Sequence, residues 1–286
     1  MIEKINNNSL EVMIESKGAE LVSLKNMNNS EEYIWEADPK YWGKHSPLLF
    51  PFIGFSKDNE YIYDGKTYPM TKHGFARDKE FTLVEKTEVS LKYLLEDTEE
   101  TLLMYPFEFN LFVEYVLVDN KLEVNYHVVN KSKKKMFFSI GGHPAFKCNV
   151  ASGDVYLQFE KEEILITNKI NLDNGLIKEE TEMVLEKGSE LRLNNKLFRE
   201  DALIFKNLNS SWVMLHNKST NKKLKFNFKE FPYLAFWRPE AAFLCIEPWY
   251  GIADYDNTNK RIEDKIGVQS IHENEEFNSQ FVIEII

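Results

Sequence analysis

The chain is poor in the features that mark several large protein classes. It has only two cysteines in 286 residues, Cys148 and Cys245. They show no CxxC spacing and no disulfide framework, which excludes a cysteine-stapled scaffold and a cysteine-rich metal module. No stretch approaches the ~18 apolar residues of a membrane helix. The first residues, MIEKINNNSL, lack the apolar core and cleavage pattern of a secretory leader, so a reducing cytoplasm is the default expectation. Basic residues are outnumbered, 35 Lys and Arg against 46 Asp and Glu, for a formal net charge of −11. A diffuse acidic surface repels a phosphate backbone and argues against a nucleic-acid partner. The local exception, Lys133–Lys134–Lys135, lies in a polar stretch after Asn130 and reads as a solvated loop. No GxGxxG after a strand, GxxxxGK[ST], GxSxG or HExxH is present, so nucleotide-loop, serine-nucleophile and zinc-peptidase signatures are missing.

What the chain does have is aromatic residues and alternation. It carries 21 Phe, 13 Tyr and 5 Trp, types that favour strands and can also pave a ligand cleft. Apolar residues recur with period two in Ser9–Glu15, Phe81–Glu85, Phe109–Val118, Leu122–Val129, Phe137–Ile140, Val155–Phe159, Trp212–Leu215, Leu224–Phe228, Phe243–Ile246 and Phe281–Ile286. Turn residues separate them: Asp64–Gly65, Asp119–Asn120 and Asp173–Asn174–Gly175. Helical signals are few; Asp97–Met104 reads as a short helix capped at Asp97 or Thr98 and stopped before Pro106. The pattern predicts an all-β chain built as a large antiparallel sandwich or barrel. The polar stretch Thr167–Lys196 is the weakest point for a boundary, and one domain over 1–286 is the expectation.

Glycine and proline are scarce, 12 and 9, so segments that concentrate them beside ionisable residues stand out. The first is Lys72-His73-Gly74-Phe75-Ala76-Arg77-Asp78, where Gly74 permits a sharp turn beside His73 and Arg77 can bind an oxygen ligand or pair with Asp78. The second, Gly141-Gly142-His143-Pro144, follows a predicted strand Met136–Ile140 and fixes one imidazole with three special residues. The third is Phe243-Leu244-Cys245-Ile246-Glu247-Pro248-Trp249-Tyr250-Gly251, an apolar strand running into a carboxylate. Burial there raises a carboxylate's pKa and basicity unless it is paired, for instance with Arg238, while Trp249 and Tyr250 offer flat faces to a sugar ring. An imidazole and a carboxylate suffice for proton transfer in both directions, each contributing ~10²–10⁴-fold in rate. A zinc site from His73, His143 and Glu247 is chemically possible, but no short-range ligand spacing supports it. His45, His127, His216 and His272 are assigned no catalysis.

Together these segments resemble the aldose 1-epimerase (galactose mutarotase-like) family, in its LacX-like branch. The resemblance rests on HSPLLFPFIG at His45–Gly54, KHGFARD at Lys72–Asp78, GGHPAF at Gly141–Phe146, DALIF at Asp201–Phe205 and CIEPWYG at Cys245–Gly251. It implies a β-supersandwich and interconversion of the α and β anomers of an aldose, with no metal or organic cofactor. It further implies Glu247 as base on the anomeric hydroxyl and His143 as acid on the ring oxygen. His73 would position the ring oxygen, with Asp201, Arg77 and Trp249 as further sugar contacts. The partner would be a monosaccharide or sugar phosphate, the chain a monomer or homodimer. One departure matters. The family's early sugar-contacting Arg is missing from Pro51–Lys57, while Arg77 is placed as in the branch that handles hexose 6-phosphates and Lys72 lies close by. Alternatives are a hexose-6-phosphate epimerase, a non-catalytic carbohydrate-binding protein, and a glycosidase using Asp201 and Glu247 across a ~5–9.5 Å gap.

Overall fold

Alternating burial follows directly from the alternating sequence. In Phe109–Val118 and Lys121–Asn130 every second side chain is buried, because successive residues on a strand face opposite sides. The computed structural model describes residues 1–286. Its largest element is a nine-stranded antiparallel sheet. The strands run Ile177–Arg192, Val155–Ile170, Trp212–Asn217, Lys222–Asn227, Glu276–Ile285, Lys121–Asn130, Phe109–Val118, Ser90–Glu96 and Thr82–Lys86. A six-stranded sheet contains Leu203–Lys206, Tyr233–Trp237, Phe243–Tyr250, Ile140–Gly142 and Leu48–Leu49 in that order, with Ala145–Lys147 also paired to Phe243–Tyr250. Ring contacts such as Phe159–Phe236 and Phe146–Phe226 join the two sheets through a common core of 60 buried residues. This is the large antiparallel β-sandwich expected from the sequence, with a single α-helix at Glu99–Met104. Thr98 and Thr101 cap that helix reciprocally, each side chain accepting from the other's backbone N–H.

Two local expectations need correction, and a third segment gains definition. The strand predicted to stop at Ile246 continues to Tyr250, through Glu247 and Pro248. Its side chains are buried on both faces, so it lacks the alternation that marks a half-exposed strand. Predicted strand Met136–Ile140 breaks at Ser139: Met136–Phe138 pairs with Gln269–Ile271, whereas Ile140–Gly142 joins the six-stranded sheet. The polar stretch Thr167–Lys196 holds most of a long hairpin, Val155–Ile170 with Ile177–Arg192, turning through Asp173–Asn174–Gly175. Its register shifts at several points, and such bulges blur the period-two signal.

Gly74 shows how tightly the site is built into this frame. Its φ is +72°, and a Cβ added there would lie 2.2 Å from the Phe50 carbonyl oxygen. Gly65, in the predicted hairpin turn, has φ +71° but open space around it. Gly65→Ala is therefore expected to cost only the left-handed backbone penalty, about 1 kcal/mol. Gly74→Ala adds overpacking and should cost about 3 kcal/mol or more. Urea denaturation of the two variants checks this; equal losses would refute the close-approach argument.

Candidate active site

The central strand Phe243–Tyr250 sorts its residues by face. Leu244 and Ile246 enter the main core. Cys245, Glu247 and Trp249 point the other way, as strand geometry requires. Ile140 and Gly141 pair with Tyr250 and Trp249, and Ala145 and Phe146 pair with Cys245 and Leu244. The two short strands therefore keep one register across the gap between them, and stepping through that gap sets His143 opposite Glu247. Pro144 cannot donate to the ladder, yet its carbonyl still accepts from Ile246 N–H at 3.2 Å. The His143 N–H turns away to the Pro47 carbonyl. The outcome is His143 Nε2 at 3.2 Å from Glu247 Oε2, with both side chains buried.

These two groups line one cavity of about 280 Å³, together with His73, Arg77, Asp201, Trp249 and Lys72. That volume sits near the lower end of the ~300–1,000 Å³ of small-molecule sites. The structure thus brings all six sequence-selected side chains to one place. The sequence reading did not select Trp42 and Trp237, which pack against His143. Trp42 stacks on its imidazole with centroids 4.9 Å apart, and Trp237 meets it edge-on at 5.6 Å. Phe55, Ile170, Ala202 and Ile204 complete the apolar wall. Trp42, Trp237 and Phe55 each lie close to a Gly or Pro and to ionisable residues, in WGKH, WRPE and GFSK, and Ala202 and Ile204 lie in DALIF, so a local signal existed, but only tertiary packing shows that their side chains meet His143 or wall the cavity. Tyr250 does not join the site; its hydroxyl donates to the Glu230 carbonyl and its ring packs on Phe231 and Phe277. Arg238 does not pair with Glu247 but donates to Asn195 Oδ1 and the Ala241 carbonyl.

His73 and Asp201 both hold left-handed backbones, φ +66° and +76°, a conformation more common for His and Asp than for bulky residues. His73 Nδ1 accepts from Gly54 N–H at 3.1 Å. In the neutral ring the proton then sits on Nε2, leaving a donor. Burial, then the neighbouring His143, Lys72 and Arg77, hold His73 well below the usual imidazole range. His143 is pushed down to about 3, first by burial and then by Lys72 and Arg77, against an opposing backbone contribution. Glu247 is pushed well above the usual carboxylate range by burial and by Asp201; Lys72 and the Trp249 N–H oppose this. The 3.2 Å contact lacks hydrogen-bond geometry, and both Glu247 oxygens, His143 Nδ1, Trp249 Nε1 and Arg77 Nε are buried without a well-formed hydrogen bond; Arg77 Nε meets Asp78 Oδ2 only as an ion pair at 3.6 Å. Orphan polar atoms are costly in a folded interior, and five of the chain's eleven belong to residues lining this cavity.

Among the other histidines, His45 Nδ1 meets the Trp35 carbonyl, His127 pairs with Glu276 and His216 stacks on Tyr156. None lines the cavity. A ligand triad of His73, His143 and Glu247 is not what the fold assembles. The ligand atoms that converge within 4.8 Å are those of His143, Cys245 and Glu247, and His73 Nδ1 is already engaged by Gly54. Burial, then Glu247, pushes the Cys245 thiol well up, which favours the protonated form over the thiolate a metal requires.

The Glu247 shift has a consequence for stability. The folded state keeps a proton that the unfolded chain has released, so stability is full below the unfolded carboxylate range and is lost as pH rises toward the folded value. Glu247→Gln should therefore melt above wild type at pH 8, with the difference shrinking on acidification to pH 4. A gain independent of pH would contradict the burial argument.

Comparison with known proteins agrees with this architecture. The aldose 1-epimerase family model matches residues 1–265. The plasmid-encoded protein LacX of Lactococcus lactis subsp. lactis is 32% identical over 284 residues, covering 95% of each chain. A galactose mutarotase related enzyme from Lactobacillus acidophilus superposes with a TM-score of 0.94 at 34% identity, covering 100% of this chain and 97% of that one. A galactose mutarotase-like protein from Lactobacillus casei gives 0.95 at 30% identity over all of both chains. The chain belongs to the aldose 1-epimerase (galactose mutarotase-like) family, in its LacX-like branch.

Proposed function

We propose that the protein is an aldose 1-epimerase that interconverts the α and β anomers of a monosaccharide, with Glu247 as base and His143 as acid. The observation that carries this reading is the buried His143–Glu247 contact, 3.2 Å across, inside a small cavity with partnerless polar atoms. The Glu247 carboxylate removes the proton from the anomeric O1 hydroxyl. The O1 electrons form the C1 carbonyl, the C1–O5 bond breaks, and O5 takes a proton from the His143 imidazolium. The open-chain aldehyde turns about C1–C2, and the steps reverse on the other face. His73 Nε2–H is the donor to the ring-oxygen region, while Asp201 and Arg77 contact further hydroxyls. No step calls for a cofactor.

The pair holds one proton throughout. It is imidazolium and carboxylate before ring opening, imidazole and carboxylic acid after it. Burial raises Glu247 and lowers His143, which favours the neutral distribution. Attraction at 3.2 Å favours the ionic one. These opposing effects bring the two states closer in energy, as reversible proton transfer needs.

A second reading differs only in substrate. Lys72 and Arg77 both line the cavity; Arg77 donates to the Lys72 carbonyl and meets Asp78 at 3.6 Å, but its Nε makes no hydrogen bond, and a sugar phosphate would supply an acceptor. Anomer exchange measured by saturation-transfer NMR on free hexoses and their 6-phosphates separates the two readings. Exchange no faster than buffer for every aldose and aldose phosphate would sink both.

His143→Asn and Glu247→Gln should each lower turnover ~10²-fold or more, the scale of one acid or base. Near-wild-type turnover in either variant removes its assigned role. Rate should be flat over the mid-pH range, where the pair holds one proton. It should fall on the alkaline side as that proton is lost, at a midpoint above the usual carboxylate range. It should fall on the acid side only below the usual imidazole range, where a second proton is added. A pH–rate profile of kcat/KM checks both limbs.

A further inference from the structure

Trp249 lies two residues beyond Glu247 on the same strand and shares its face. It belongs to a buried apolar cluster with Leu49, Ile53, Ala235, Ile252 and Ala253 and is 4% exposed, so little of its flat surface is open to a ligand. Across the ladder it pairs with Gly141, and a Cβ at Gly141 would stand 2.6 Å from Trp249 Cδ1 and 2.7 Å from the Pro248 carbonyl oxygen. The glycine thus makes room for the pyrrole edge of the indole, the edge that carries Nε1–H. That N–H is buried with no partner, and so are both oxygens of Glu247. An indole nitrogen can only donate and an ionised carboxylate can only accept. Two groups of opposite kind, each without a well-formed hydrogen bond and on adjacent same-face positions lining one cavity, complete each other.

We propose that Trp249 is a positioning residue whose indole N–H donates to the Glu247 carboxylate and holds it as the anion that accepts the substrate proton. This rests on the reading of Glu247 as base. The same N–H opposes the effect of burial on Glu247, in the same sense as the Lys72 charge. It also gives one physical account of two sequence motifs at once: Gly141 of the histidine segment is small because Trp249 of the glutamate segment needs its space.

The test uses the full chain and two independent readouts. In ¹⁵N-labelled protein, the Trp249 indole N–H resonance should titrate with the Glu247 carboxyl carbon and lose that titration in Glu247→Gln. Trp249→Phe keeps a ring and removes the donor. In it the Glu247 midpoint should rise by about 1 pH unit, the size expected for one charge-assisted hydrogen bond. Turnover on the pH plateau should fall about tenfold by the same conversion, with KM within about twofold. The alkaline limb should move up with the Glu247 midpoint, an extension to higher pH that mere loss of packing does not produce. An indole resonance indifferent to Glu247→Gln, or an unmoved Glu247 midpoint in Trp249→Phe, overturns the proposal. Coupled titration in a wild-type protein that exchanges no anomer supports the hydrogen bond and counts against the epimerase reading instead.

Discussion

The site depends on one cross-strand relation, His143 facing Glu247 over a register that survives a break in the strand. Ile140–Gly142 and Ala145–Lys147 are two pieces of one ladder position beside Phe243–Tyr250. The residues between them cannot pair regularly because Pro144 has no N–H and the His143 N–H goes to Pro47. The ladder on either side fixes where the gap lies. The imidazole is therefore held from both ends, while its ring stays free to face a ligand. Trp42, stacked on that ring, and Trp237, edge-on to it, limit its rotation further.

Burial then turns geometry into chemistry. A carboxylate and an imidazole in water would each titrate independently. Enclosed here, each is shifted away from its charged form, and their contact pulls the other way. Lys72 and Asp201 tune Glu247 in opposite senses. The surrounding loops serve the same end. Lys265 is ion-paired with buried Asp254, which accepts from the Lys57 N–H at 2.9 Å. That network ties down the loop carrying Gly54 and Phe55, and Gly54 N–H in turn sets the tautomer of His73. The proton position at His73 is thus decided by a backbone contact outside the motif that contains it.

Much of this was legible before the fold was known. Alternation in segments such as Phe109–Val118 and Leu122–Val129 marks half-buried strands, because period two is a local property of the backbone. Gly and Pro near His73, Arg77, His143 and Glu247 flag those ionisable residues, whereas Asp201 follows from the family resemblance alone. Local signals are weak elsewhere. The strand through Glu247 is buried on both faces and shows no alternation, so its last four residues were missed. Trp42 and Tyr250 have the same local setting, each between another aromatic residue and a glycine, yet one stacks on His143 and the other turns to Glu230.

By itself, then, the sequence determined the fold class, the turns and the residue types able to move a proton, because backbone period and side-chain chemistry are local. Only the tertiary structure decided that His143 and Glu247 meet, that the metal-like cluster contains Cys245 rather than His73, and that Trp249 sits with its N–H buried on the Glu247 face. Those outcomes depend on ladder register and on how sheets pack, which join residues about a hundred positions apart and leave no trace in any single segment.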